Sequence, residues 1–122
     1  MINKPVRVVL LGDADISFRR LNETVGKQIE FGKSNTEEMQ LLRSIKQKIE
    51  FIKANPFYGD PIAKGLIPKE YTQQYYAKNL FRVELSGFWR MVYTLKGDKI
   101  EIVAFILDIK KSMHHHTLKG VV

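Results

Sequence analysis

The chain has no cysteine. That absence removes disulfides, thiolate catalysis and cysteine-ligated zinc together, and it suits a reducing cytoplasm. Long apolar runs are missing as well. The longest, Ile102–Leu107, falls far short of the roughly 20 residues that span a bilayer as a helix. The opening residues Met1-Ile2-Asn3-Lys4-Pro5 lack the apolar stretch of a secretory signal, so the expectation is a soluble, cytoplasmic protein. Proline is scarce, and three of the four prolines fall between residues 55 and 79. Acidic residues are the under-represented charge: 13 Asp and Glu face 20 Lys and Arg, a formal net charge of +7.

What is present suffices for one core. With 122 residues, 44% of them hydrophobic, the chain has the size of an ordinary domain and is read as one, over residues 1–122. The positive excess is uneven. Residues 1–60 hold ten Lys/Arg against eight Asp/Glu, and residues 61–122 hold ten against five. A basic surface draws polyanions. It equally describes the solvated exterior of many soluble proteins, so charge alone leaves a nucleic-acid partner open.

Val6–Leu11 is β-branched and apolar and predicts a strand ended by Gly12-Asp13. From Asp13 to about Phe31, Ala14, Phe18, Leu21, Val25 and Ile29 recur at helical spacing. Gly32-Lys33-Ser34-Asn35 breaks the pattern, and Ser34 or Asn35 is placed to cap a second helix, with Glu37 or Glu38 closing a capping box. Met39, Leu42, Ile45, Ile49 and Ile52 form its stripe, which Asn55-Pro56 stops. The two helices should pair as an antiparallel hairpin. Residues 55–79 read as an irregular loop with one short turn around Pro68–Tyr71. Three strands follow, over Leu80–Ser86, Phe88–Leu95 and Ile100–Leu107, with a hairpin turn at Lys96-Gly97-Asp98-Lys99. Residues from Lys110 onward read as a polar, basic tail, flexible over about 110–122. The expected class is α+β in the order β-α-α-β-β-β, a helical hairpin packed on a small, mainly antiparallel sheet. Alternation places Phe81, Val83, Trp89, Met91 and Tyr93 on one face and Arg82, Glu84 and Arg90 on the other.

The segment Asn79-Leu80-Phe81-Arg82-Val83-Glu84-Leu85-Ser86-Gly87-Phe88-Trp89-Arg90-Met91-Val92-Tyr93, in this element order, resembles the RelE/ParE toxin superfamily of type II toxin–antitoxin modules. The Gly87–Tyr93 stretch is similar to that family's hairpin, a Gly-aromatic-Arg step followed by an apolar pair and tyrosine. The resemblance covers roughly residues 36–113. It implies an antitoxin partner that occludes the active face, and a chain that assembles as a homodimer or within a toxin–antitoxin heterotetramer. It implies one of two targets. Toxins resembling RelE enter the ribosome and cut messenger RNA, and those resembling ParE inhibit DNA gyrase. Two departures stand out. RNA-cleaving members often carry two basic residues where this chain has Arg82 and Glu84. After the last strand the family often has His or Arg and then Tyr, whereas this chain reads Asp108-Ile109-Lys110-Lys111-Ser112-Met113-His114-His115-His116 without a tyrosine.

Metal-free RNA cleavage requires a base for the 2′-hydroxyl proton, cations for the extra negative charge on the five-coordinate phosphate, and an acid for the departing 5′ oxygen. No cofactor or metal is expected. Arg90 is the first candidate, since its guanidinium can hold a phosphate bidentately; a salt bridge to Glu84 is the competing role. Arg82 is the second cation, against a solvated strand face. Glu84 serves either as base or to neutralise Arg82 or Arg90, and an adjacent cation makes a carboxylate the poorer base. A histidine of the run, taken as His115, titrates near neutrality; a solvated tail is the alternative. Three consecutive histidines cannot readily converge on one metal, because neighbours on an extended chain point to opposite sides. Lys69, Lys78, Tyr75, Lys110 and Lys111 are the RNA-binding candidates, as aromatics interleaved with cations can stack on unpaired bases. Packing of these tyrosines onto the core is the competing role.

Overall fold

A computed structural model describes residues 4–112. Strand β1 (Val6–Leu10) leads into helix α1 (Gly12–Glu30) and helix α2 (Glu37–Ala54). A two-residue strand β2 (Asp60–Pro61), a 3₁₀ turn (Lys64–Leu66) and helix α3 (Lys69–Tyr75) come next. Strands β3 (Phe81–Glu84), β4 (Trp89–Gly97) and β5 (Ile102–Lys111) complete the described residues. The fold mixes α and β, with a five-stranded sheet in the order β1-β5-β4-β3-β2. β1 runs parallel to β5, and the other pairs are antiparallel. Among the described residues no helix is long and apolar enough to cross a membrane.

The sheet buries both faces, unequally. On its inner face the helical hairpin supplies Ala14, Leu41, Ile45 and Ile52, which meet Phe81, Val83, Met91, Tyr93, Ala104, Ile106 and Ile109 from the strands. The helical spacing of the first set and the alternation of the second set account for this layer. Two hydrogen bonds anchor Tyr93 inside it. Its hydroxyl donates to the Pro56 carbonyl at 2.7 Å and accepts from the Gly59 N–H at 2.9 Å. The residues just after α2 are thereby tied to the sheet. The predicted apolar stripe of α1 ends early, because Ile29 is exposed.

The outer face carries a smaller cluster, Tyr71, Ala77, Leu80, Val92 and Leu107, with Ile62, Ile67, Tyr75 and Phe105 packed around it. Residues 55–79 are therefore not one irregular loop. They add an edge strand and a seven-residue helix that lies on the sheet. Helix α3 also reaches the start of α1. A Cβ at Gly12 would stand 2.4 Å from the Tyr75 hydroxyl, and Gly12 has φ +47°. Only glycine suits both conditions.

Three boundaries differ from expectation for local reasons. The cap of α2 is Thr36, whose side chain accepts from the Met39 N–H at 3.1 Å, not Ser34 or Asn35. Asn35 is in the left-handed region at φ +55°, whereas a cap needs extended backbone such as Thr36 has. Strand β5 continues through Lys110 and Lys111, so the basic tail does not begin there. β4 likewise runs on to Gly97, and the turn that follows is closed by Asp98, whose side chain accepts from the N–H groups of Ile100 and Glu101.

Candidate functional site on the outer face of the meander

Register fixes the site before any side chain is considered. Glu84 lies directly opposite Arg90, Arg82 opposite Val92, and Arg90 opposite Lys110. Directly opposed residues share a face. Val92 belongs to the outer cluster, so Arg82, Glu84, Arg90 and Lys110 all project from the outer face, away from the helical hairpin. Lys111 pairs with Trp89, which packs on the inner core. The two neighbouring lysines are thus split. Lys110 joins the arginines, and Lys111 lines a cleft of about 400 Å³ on the other side with Glu37, Gln40 and Phe88.

A β-bulge brings in a further group. Val92 pairs with Asp108, but Tyr93 pairs with Ile106, which leaves Leu107 as the extra residue. Ile106 and Ile109 face the helices, while Leu107 faces α3. Strict alternation from Ile106 would turn Asp108 inward. The extra residue turns it outward instead, as bulges commonly re-aim side chains. There the Tyr71 hydroxyl donates to Asp108 Oδ2 at 3.1 Å. Lys110 Nζ approaches the same oxygen at 3.4 Å and sits 5.7 Å from the centre of the Tyr71 ring. Burial, aided by the Asp108 charge, pushes the Tyr71 phenol up to about 12. It remains a neutral donor through the physiological range. Burial pulls the Lys110 ammonium downward, but Tyr71, Asp108 and Glu70 outweigh it and the net shift is upward. Neither group is suited to proton transfer near neutrality: Lys110 is a fixed positive charge and Tyr71 a neutral donor.

The arginines differ from each other. Arg82 Nε lies 3.3 Å from Glu84 Oε2. The approach is too poorly aligned for a hydrogen bond, and this buried Nε–H has no hydrogen-bond acceptor among the described residues. Glu84 therefore neutralises Arg82 by charge without satisfying its donor. The Arg90 side chain forms no ion pair among the described residues, including with Glu84 opposite. Asp60 faces Arg82 across the sheet edge, so acids alternate with bases here. The surface is a pattern of placed donors, not a uniform positive field.

The other candidates scatter. Lys69 is exposed at the start of α3, and Lys78 is exposed just beyond its end. Tyr75 packs on the outer cluster and shares its surroundings with Leu11, Thr94 and Phe105. It is not a free stacking platform. Its neighbour Tyr76, 76% exposed, is. His115 lies outside the described residues. No group of three or more His, Cys, Asp or Glu placed to hold a metal occurs among the described residues. Sequence reasoning missed Tyr71 as a polar partner and Asp108 altogether. The one available signal was an acid closing an apolar strand. No known protein family, curated protein or solved structure matches this chain.

Proposed function

We propose that this chain is the toxin of a type II toxin–antitoxin module, a member of the RelE/ParE superfamily, and that its outer sheet face binds messenger RNA through phosphate. In this reading it acts on the ribosome as a metal-independent endoribonuclease. Arg90 neutralises the charge that gathers on the non-bridging phosphate oxygens as the 2′-oxygen attacks phosphorus and the P–O5′ bond breaks, the 2′-hydroxyl giving up its proton and the departing 5′ oxygen receiving one, and Arg82 adds a second contact. Glu84 or His115 handles the proton. One observation carries the reading. Arg90, half-buried on the outer sheet face, stands opposite a second cation and has no ion-pair partner among the described residues. The unsatisfied Nε–H of Arg82 on the same face adds to it, since a buried donor of this kind calls for an acceptor. The Gly87–Tyr93 hairpin motif supports the family assignment.

A second reading is a ParE-like inhibitor of DNA gyrase, or a toxin homologue that only binds its antitoxin. The Arg82–Glu84 contact and the acids interspersed along this face favour it. Such mixed charge suits a protein partner as well as a nucleic acid.

Expression in cells separates the readings. Arg90→Ala should abolish toxicity and ribosome-dependent cuts in messenger RNA while circular dichroism and the denaturation midpoint stay near wild type. Intact messages with lost supercoiling would transfer the assignment to gyrase. A toxic Arg90→Ala protein would remove Arg90 from the mechanism.

A further inference from the structure

Arg90 and Lys110 occupy directly opposed positions on adjacent antiparallel strands. Such pairs hold their Cβ atoms about 4.5–5.5 Å apart, and like charges there repel. The fold nevertheless invests two further residues in keeping Lys110 in place. Tyr71, buried at 4% exposure, and Asp108, re-aimed by the bulge, converge on it through a single carboxylate oxygen. The Tyr71 ring lies beneath the ammonium group. A lone surface lysine needs no such support, and an apolar residue at 108 would avoid the cost of partly burying a carboxylate. Asp108 offsets part of the Lys110 charge, and an anion bridging the two cations would offset the rest.

We propose that Arg90 and Lys110 form a subsite for one phosphate group, and that Tyr71 and Asp108 are positioning residues that hold Lys110 beside Arg90. This deepens the RNA reading and rests on it for the natural ligand. Asp108 takes no part in bond making. It limits the swing of a flexible four-carbon stem, so less side-chain entropy is lost when phosphate binds. Arg90 supplies the planar fork and Lys110 the point charge.

The test exploits a sign. On charge alone, Asp108→Asn removes an anion from an anion-binding face and should tighten binding. Positioning requires the opposite. Binding of a short unstructured RNA oligonucleotide, measured by fluorescence anisotropy across a salt series, should weaken about tenfold in Asp108→Asn, the loss of one charge-assisted contact. The salt slope should fall by about one, as for a lost phosphate contact. Lys110→Met should cost a similar factor in the wild-type background and little in the Asp108→Asn background. Should Asp108→Asn fail to fold, Tyr71→Phe keeps the ring and its volume, frees the carboxylate, and should weaken binding in the same direction. Tighter or unchanged binding in the variant that folds overturns the proposal, as does an equal Lys110→Met loss in both backgrounds. Inorganic phosphate followed by side-chain NMR keeps the two readings apart. Shifts at Arg90 and Lys110 that vanish in Asp108→Asn sustain the subsite even if the wild-type protein ignores RNA. No phosphate response at either residue overturns it, whatever RNA does.

Discussion

The two faces of the sheet have the same strands and opposite characters. Along β4, Met91 and Tyr93 point inward at 0% exposure, and each meets the helical hairpin. Arg90, Val92 and Thr94 point outward from the same nine residues. There α3 covers only part of the surface, and charged groups occupy the end it leaves open. A closed apolar face holds the fold while a half-covered face is free to carry polar groups that stability does not require. The outer face therefore carries the groups that stability leaves free, and substitutions on the two faces should differ in size.

The largest effect belongs to the inner face. Ile45 is fully buried there, and Ile45→Ala should lower unfolding free energy by about 2–5 kcal/mol, read from urea denaturation. Arg90→Ala on the outer face should stay within about 0.5 kcal/mol. Comparable losses for the two would erase the distinction. Next comes Tyr93→Phe, which removes the donor to Pro56 and strands the Gly59 N–H. A cost of about 1–3 kcal/mol is expected, with faster proteolysis around residues 56–60 as the local readout.

The smallest effect is confined to alkaline pH. The folded-state pKa of Tyr71 is raised from about 10 to about 12. The native state therefore holds this proton over a range where the unfolded chain has lost it. Its contribution is complete below pH about 10 and fades as pH rises toward about 12. Tyr71→Phe should flatten that part of the stability–pH curve and leave the neutral region nearly level. An unchanged alkaline slope would place the Tyr71 hydroxyl in water, and the outer cluster would then be looser than described.

The inner layer was legible in the sequence because burial on one side imprints a period. Ala14, Leu21 and Val25, then Leu42, Ile45 and Ile52, mark the helices. Phe81, Val83, Met91 and Tyr93 mark the strands, and the outward set Arg82, Glu84 and Arg90 follows by parity. The outer layer left weaker marks. Helix α3 has seven residues, too few for a periodic signal and too short to be stable without packing; its neighbouring prolines and glycines read as loop. Asp108 was illegible for a sharper reason. Parity counted from Ile106 assigns it to the wrong side, and only the unpaired Leu107 corrects the count. The same error class hid the split between Lys110 and Lys111, which as consecutive charges looked like a tail. The cap at Thr36 was missed because Ser34, Asn35 and Thr36 are all competent cappers by type, and backbone geometry decides among them.

The position of β5 has a consequence for how the protein comes into being. Among the described strands it comes last in the chain, yet it sits between β1 and β4, with Val6 beside Ile102. While synthesis is in progress the nascent chain holds an orphaned first strand and an unjoined meander. Both wait for a segment that must span almost the whole sequence to find its mate, the slow kind of pairing. Asp108 and Lys110 arrive in that same segment. The outer face that carries them is therefore incomplete until β5 has paired with both β1 and β4.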